Sequence, residues 1–404
     1  MLPLADHYHR CEPRITMGTP VLGNSVRLSL LSAAIFVSPA VFIPFWPVFL
    51  DHRGFDATMI GGAFAIGNFV RALLMPAAGV LADRFGRLRL PLAVICASAI
   101  LSLLGFGLVE GLLATLILIG IMNAMWGPII PLSDVLTLRV AATDAMVDYG
   151  RVRLWGSIAF LATGPLAGWF LTRTAPDAIP VLCAAGIALV LPILLLVPDP
   201  PAPRRSGSLV AAAKAVFGHP PLAWMFLVAG LAQGSHMMLY GFGSLTWSQA
   251  GLSSVTIGAL WAVGVAAEIV LFWVGRPILR RLGPVVLFQW AGLAALVRWS
   301  LFPLVTDPAL LVVLQVLHAG TFGASHLAAI EVLRAASPPD RAASAATLYA
   351  AVPIAFGGGL LALGSGWLFE WAGPHAFWAM AVLGAVTVVS ARYGLGSTQL
   401  TPPR

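Results

Sequence analysis

Four charged side chains lie inside long apolar stretches of the sequence: Arg71, Asp134, Glu268 and Arg298. A charge at the centre of a bilayer costs about 2.5–3.5 kcal/mol on insertion scales, so such residues face water, pair with one another or meet a ligand. Burial disfavours the anion of a carboxylate, which makes Asp134 and Glu268 candidate proton carriers. Asn123 precedes Asp134 by eleven residues, about three turns along one helical face. Arg153 and Ser157 share a face at i, i+4. By themselves Asp134 and Arg153 read as an ion pair locking two helices. Arg71 follows Gly67-Asn68 and reads as a charge-assisted contact for a carboxylate substrate or as a partner of Asp134. Gln233, His236, Tyr240, Ser244 and Trp247 follow one another at spacings of 3, 4, 4 and 3, which puts them on one helical face. A polar and aromatic stripe in an apolar span faces a bundle interior or a cavity. Trp126, Trp155, Trp261 and Trp299 offer flat surfaces for an aromatic ring, and His318 reads as a hydrogen-bonding cavity residue. His318 and His326 are eight residues apart with no third ligand nearby, so no metal site is expected. His7, His9 and Cys11 belong to a polar tail.

The elements that must position these groups are membrane helices. Of 404 residues, 59% are hydrophobic and 10% charged, and the mean hydropathy is +0.92. Soluble domains carry about 25% charged residues, so a soluble enzyme and a disordered chain are excluded. The pI of about 10.0 does not make a nucleic-acid binder, because the single lysine (Lys214) and the arginines sit in small groups between apolar stretches. A spanning helix needs about 20 mostly apolar residues. Twelve such spans are expected, at 27–50, 57–82, 90–109, 112–137, 152–172, 178–197, 220–247, 254–275, 284–304, 308–333, 342–367 and 370–392. They divide into an N-terminal tail (1–26), a six-helix bundle (27–197), a proline-rich basic linker (198–219), a second six-helix bundle (220–392) and a C-terminal tail (393–404). With both termini in the cytoplasm, of 23 basic residues only Arg53 and Arg173 fall outside and Arg71 and Arg298 within spans, leaving nineteen on the cytoplasmic side. That is a strong positive-inside pattern. The first residues lack the short apolar core and small-residue cleavage site of a signal peptide. No GxxxxGK[ST], HExxH or GxSxG segment occurs, which argues against ATP-driven transport and against a membrane enzyme.

The segment after the second span, Gly79-Val80-Leu81-Ala82-Asp83-Arg84-Phe85-Gly86-Arg87-Leu88-Arg89, resembles the signature loop between helices 2 and 3 of the major facilitator superfamily. Gly275-Arg276-Pro277-Ile278-Leu279-Arg280-Arg281-Leu282-Gly283 resembles a degenerate copy in the second half. Asp148-Tyr149-Gly150-Arg151-Val152-Arg153-Leu154-Trp155-Gly156-Ser157, Gln233-Gly234-Ser235-His236, Val297-Arg298-Trp299 and Leu317-His318-Ala319-Gly320-Thr321-Phe322 are similar to the phenylpropionate permease family. More distantly the chain resembles lactose-permease-like symporters. The resemblance implies an all-α fold of twelve transmembrane helices in two bundles, alternating access and proton symport. It implies that Gly79, Asp83, Arg84, Gly86 and Arg87 form a gating loop. It implies that Asp134 and Arg153 bind substrate together, and that Glu268, Arg298 and His318 couple proton to substrate. One turn after the histidine such symporters carry a glutamate; here Thr321 stands there, so the proton falls to Glu268 or Asp134. The substrate set is thus Arg71, Asn123, Asp134, Arg153, Gln233, His236, Tyr240, Trp261, Arg298 and His318. The expected function is proton-coupled import of a small organic solute, an aromatic carboxylate such as a phenylpropionate, with a sugar or nucleoside symporter or drug efflux as alternatives. The expected partners are substrate, proton and the lipid bilayer of a bacterial inner membrane, with no nucleic acid, cofactor or metal and with a single chain sufficient.

Overall fold

The computed structural model describes residues 22–201, 217–337 and 342–398; the side chains of 75–85, 276 and 342–344 lie outside the described ones. Residues 1–21 and 399–404 of the two tails, most of the expected linker, and the side chains of Gly79, Asp83 and Arg84 therefore lie outside it. In hydrocarbon every backbone polar group must be satisfied within the segment, which leaves helices as the form for these apolar stretches. Ten described segments are long and apolar enough to span a bilayer. The last, Ala345–Ser397, folds back at Gly373–Ala376 and crosses twice, and the 17-residue Arg89–Gly105 completes twelve. We number them α1 (Asn24–His52), α2 (Ala57–Phe85), α3 (Arg89–Gly105), α4 (Leu112–Ala141), α5 (Tyr149–Leu171), α6 (Ala178–Leu196), α7 (Pro220–Gln249), α8 (254–282), α9 (284–304), α10 (Pro308–Ala336), α11 (342–372) and α12 (377–394).

Local chemistry sets the ends. Asp56 caps α2 by accepting from Met59 N at 2.8 Å, and Thr58 Oγ1 donates to the same carboxylate oxygen at 2.6 Å. These two bonds, the Thr58 one first, hold the Asp56 carboxyl below its usual range. Asp148 caps α5 by accepting from Arg151 N at 2.7 Å, three residues earlier than the expected start. Asp307 caps α10. Helices α8 and α9 form one helical run from Ser254 to Leu301, bent where Gly283 adopts φ 75° and ψ 165°. The expected break after residue 367 falls instead after Ala372, where Gly373 takes φ 55° ahead of Pro374. Helix α3 stops at Gly105, short of 109, and Arg53 caps the following turn by donating to Phe106 O and Val109 O. At the expected gating loop, Gly86 ends α2 with φ 67° and its carbonyl accepts from Arg139 Nη1, while Arg87 is exposed. Asp199 caps α3 by accepting from Leu88 N and Arg89 N.

The halves meet along two seams, α2 against α11 and α5 against α8. Position 2 of each half thus meets position 5 of the other. Near the face opposite the termini both seams are backbone on backbone. A Cβ on Gly61 would lie 2.7 Å from Gly366 Cα, one on Gly258 2.3 Å from Gly164 O, and one on Gly168 2.2 Å from Ser254 O. Small residues allow this close approach of membrane helices. Gly168→Val should force α5 from α8 at about the 1–3 kcal/mol cost of overpacking, read as a lower melting temperature of the purified protein; an unchanged one would show the seam is not tight.

Candidate functional site

Arg298, in α9, is fully buried. Its Nη1 donates to His318 Nδ1 at 3.2 Å and to Thr321 Oγ1 at 3.1 Å, and its Nη2 donates to Gln315 Oε1. The guanidinium also lies over the Trp299 ring, 4.5 Å from its centroid. All three acceptors are neutral and come from α10, on which they recur three residues apart.

The donor pattern assigns the protons. Arginine only donates, so His318 Nδ1 is the acceptor and its Nε2–H faces Glu268 Oε2 of α8, 3.8 Å away. His236 Nδ1 lies 3.2 Å from the carbonyls of Ala232 and Gln233 and must donate to them. Its Nε2 then accepts from Thr321 Oγ1 at 2.9 Å. A relay runs from Arg298 through the Thr321 hydroxyl to His236, joining α9, α10 and α7.

Wide π-type turns flank this network at Leu239–Gly243 in α7 and Ala319–Ala324 in α10. Such turns mark functional sites more often than chance. They carry Tyr240 and Thr321. The α7 stripe faces the second bundle's interior: Gln233 Nε2 donates to Ser325 Oγ at 2.8 Å, and Trp261 Nε1 donates to Ser244 Oγ at 2.9 Å. Tyr240 stacks on Trp261 with centroids 5.8 Å apart. It lies within electrostatic reach of Glu268, Arg298 and Arg71.

Arg71, at the midpoint of α2, is half-buried. Its Nη2 donates to Asn68 Oδ1 at 2.8 Å. Asp134, the alternative partner, does not pair with it. Among the described residues no carboxylate lies within ion-pair distance of Arg71 or of Arg298. Asp134 instead faces Tyr149 and Arg153 of α5, in a pocket lined also by Ser32, Phe36, Ser133 and Thr137. The Arg153 guanidinium stacks on Phe36 at 3.8 Å and lies within electrostatic reach of Glu268.

Asn123 and Asp134 end against different helices. The helical ladder of α4 is interrupted at Gly127-Pro128, and the Asn123 amide packs on Gly67 of α2. Of the four tryptophans, Trp299 is sealed behind Arg298 by Phe302 and Phe377, Trp126 packs on Phe42, and Trp155 is half-exposed. Trp261 stacks on Tyr240, which lies within electrostatic reach of both arginines. Sequence reasoning missed Gln315, Tyr149 and the hold of Asn68 on Arg71. Gln315 and Asn68 each lie three residues before a chosen residue on its own helix face, which was the available signal.

The model of the MFS_1-like family matches residues 26–380. The chain is 30% identical over 377 residues to the probable 3-phenylpropionic acid transporter of Escherichia coli, covering 90% of this chain and 96% of that one. It is 25% identical over 345 residues to the maltose permease of Geobacillus stearothermophilus, covering 83% and 85%. Its fold is similar to the crystal structure of the nucleoside transporter NupG, with TM-score 0.78 at 18% identity over 94% of this chain and all of that one. A bacterial homologue of the human lysosomal transporter Spinster gives TM-score 0.69 at 14% identity over 93% and 97%. With twelve helices in this arrangement and a family match over most of its length, the chain belongs to the MFS_1-like family, membrane transporters of the major facilitator fold.

Proposed function

We propose that the protein is a proton-coupled importer of a small aromatic carboxylate of the phenylpropionate type, working as a monomer in a bacterial inner membrane with both termini in the cytoplasm. The observation that carries this reading is Arg71: a half-buried guanidinium at mid-span whose side-chain partner is a neutral amide. An uncancelled charge there is costly, and a substrate carboxylate supplies the missing partner through charge-assisted bonds. The Tyr240–Trp261 stack offers the substrate ring an aromatic face. The probable 3-phenylpropionic acid transporter's likeness to this chain supports the same class.

Glu268 is the proton carrier in this reading. It stands against the Nε2–H edge of His318, and the Thr321 hydroxyl cannot take the role. Glu268, Arg71 and Arg298 each lie within electrostatic reach of Tyr240, so protonating Glu268 removes a negative charge from their shared surroundings and strengthens anion binding; by linkage, anion binding favours the proton equally. A polyol symporter is the second reading, favoured by the hydroxyl-rich pocket of Ser32, Ser133, Thr137 and Tyr149 around Asp134.

The test is binding and uptake by purified protein in proteoliposomes with an imposed pH gradient. 3-Phenylpropionate should raise the melting temperature and be accumulated; stabilisation by sugars or nucleosides alone overturns the carboxylate assignment. Arg71→Ala should weaken 3-phenylpropionate binding at least about tenfold, the equivalent of one charge-assisted hydrogen bond. Glu268→Gln should abolish accumulation against a gradient while preserving substrate exchange; accumulation equal to wild type removes Glu268 from the proton role.

A further inference from the structure

Arg71 is held at both ends of its side chain. Its stem crosses Gly127 of α4, where a Cβ would lie 2.9 Å from Arg71 Cγ and 3.2 Å from Cδ. Its head meets Asn68 Oδ1 at 2.8 Å. The orientation of the Asn68 amide is unambiguous, because Arg71 only donates and the other partner, Phe64 O at 2.9 Å from Nδ2, only accepts. Asn68 is itself buried, at 4% exposure, and pinned. Its Nδ2 also touches Met237 Sδ of α7 at 3.8 Å, and its Oδ1 lies 3.9 Å from where a Cβ on Gly358 of α11 would stand. Both of those residues belong to the other half.

A guanidinium has five N–H donors. The Asn68 bond uses one, and Arg71 makes no other hydrogen bond among the described residues; the Nε–H is buried, which leaves the three other Nη donors for a ligand. A carboxylate at position 68 would hold the head equally well but would cancel its charge. An apolar residue there would leave the charge and lose the hold. The amide does neither, and glycine at 127 leaves room for the stem, which a Cβ there would crowd.

We propose that Asn68 and Gly127 are the positioning residues of the substrate site, Asn68 fixing Arg71 by a neutral acceptor so that its charge stays available, and Gly127 cradling its stem. This rests on the reading above that the substrate is a carboxylate. Asn68 has a further consequence: because it lies against Met237 and Gly358, the hold on Arg71 is seated at the contact between the halves, so parting them alters the support of the anion-binding group.

Asn68→Asp is nearly isosteric and separates charge from shape. In proteoliposomes it should raise the KM for 3-phenylpropionate at least about tenfold with kcat changed by less than about twofold. Binding of the uncharged 3-phenylpropanamide, read by thermal shift, should stay unchanged. A KM for 3-phenylpropionate like that of wild type overturns the proposal, as does an equal loss of the amide. If Asn68→Asp does not insert, Gly127→Ala decides by the same two ligands: the acid's KM should rise and the amide's binding should not, and an unchanged KM overturns the role of the cradle and its partner. Arg71→Ala separates this inference from its premise. If Arg71→Ala leaves uptake unaffected, the carboxylate reading fails first and this one with it. If Arg71→Ala abolishes uptake while Asn68→Asp behaves as wild type, only this one fails.

Discussion

A guanidinium in hydrocarbon must have its donors satisfied, and it cannot shed its charge as a carboxylate or histidine can. Much of the second bundle is arranged to meet that constraint at the two Nη groups of Arg298, while its buried Nε–H finds no acceptor among the described residues. Three acceptors reach the Nη groups from α10, at positions 315, 318 and 321. Thr321 spends its own proton on His236, which brings α7 into the same network. Trp299 covers one face of the guanidinium and donates its indole N–H to Ser235 of α7. Three helices are thus registered on one side chain. Every acceptor is neutral, so the arrangement fixes the group without cancelling its field.

The first bundle meets the same constraint in two other ways. Arg153 lies over the Phe36 ring and within electrostatic reach of the Asp134 carboxylate, beyond ion-pair distance, so its charge is met in part within the bundle. Arg71 is given a single amide and left half-buried. The contrast between Arg71 and Arg298 divides labour. Arg298 is sealed and Arg71 is half-buried; on the proposed reading the first sets the potential of the site and the second meets the substrate. Tyr240 lies within electrostatic reach of both, so a ligand on Arg71 sits in the field of Arg298 without displacing any of its bonds.

The spans were legible because hydropathy over some 20 residues is a strong signal, and the Arg298–His318–Glu268 grouping was legible through its resemblance to known symporters. Other features had no such signal. A 3.6-residue template does not reveal an inserted residue, so the wide turns that carry Tyr240 and Thr321 were invisible, although the α7 stripe around them was not. Asn123 and Asp134 share a face only if α4 is an unbroken helix, and Pro128 removes a ladder donor between them. The starting point of α5 hid Tyr149, which lies one residue past its Asp148 cap and just ahead of the expected span. Four tryptophans were equivalent on paper. Only packing showed that Trp299 closes the back of the site and that Trp261 stacks on Tyr240 in front of it.

On the proposed reading, in which the substrate is an anion and Glu268 carries the proton, Thr321 fits a charge balance. Asp134 and Arg153 lie within electrostatic reach of each other and largely offset as a pair, Arg153 also reaching Glu268; the charges gathered around Tyr240 are those of Arg71, Arg298 and Glu268. With Glu268 ionised and no substrate, two positive charges meet one negative and the site carries one net positive charge. With substrate carboxylate bound and Glu268 protonated, two positive charges again meet one negative. The empty and the fully loaded carrier are electrostatically alike. The half-loaded forms are not: anion alone brings the site to zero, and proton alone brings it to two positive charges. Moving a protein half past the bilayer's low-dielectric interior is sensitive to such differences, so one site potential cannot suit both kinds of state. A second ionised glutamate at position 321 would pre-empt the charge that the substrate brings, and the empty site would already be neutral. A hydroxyl keeps the hydrogen bonds to Arg298 and His236 and leaves the second negative charge for an anionic substrate to supply.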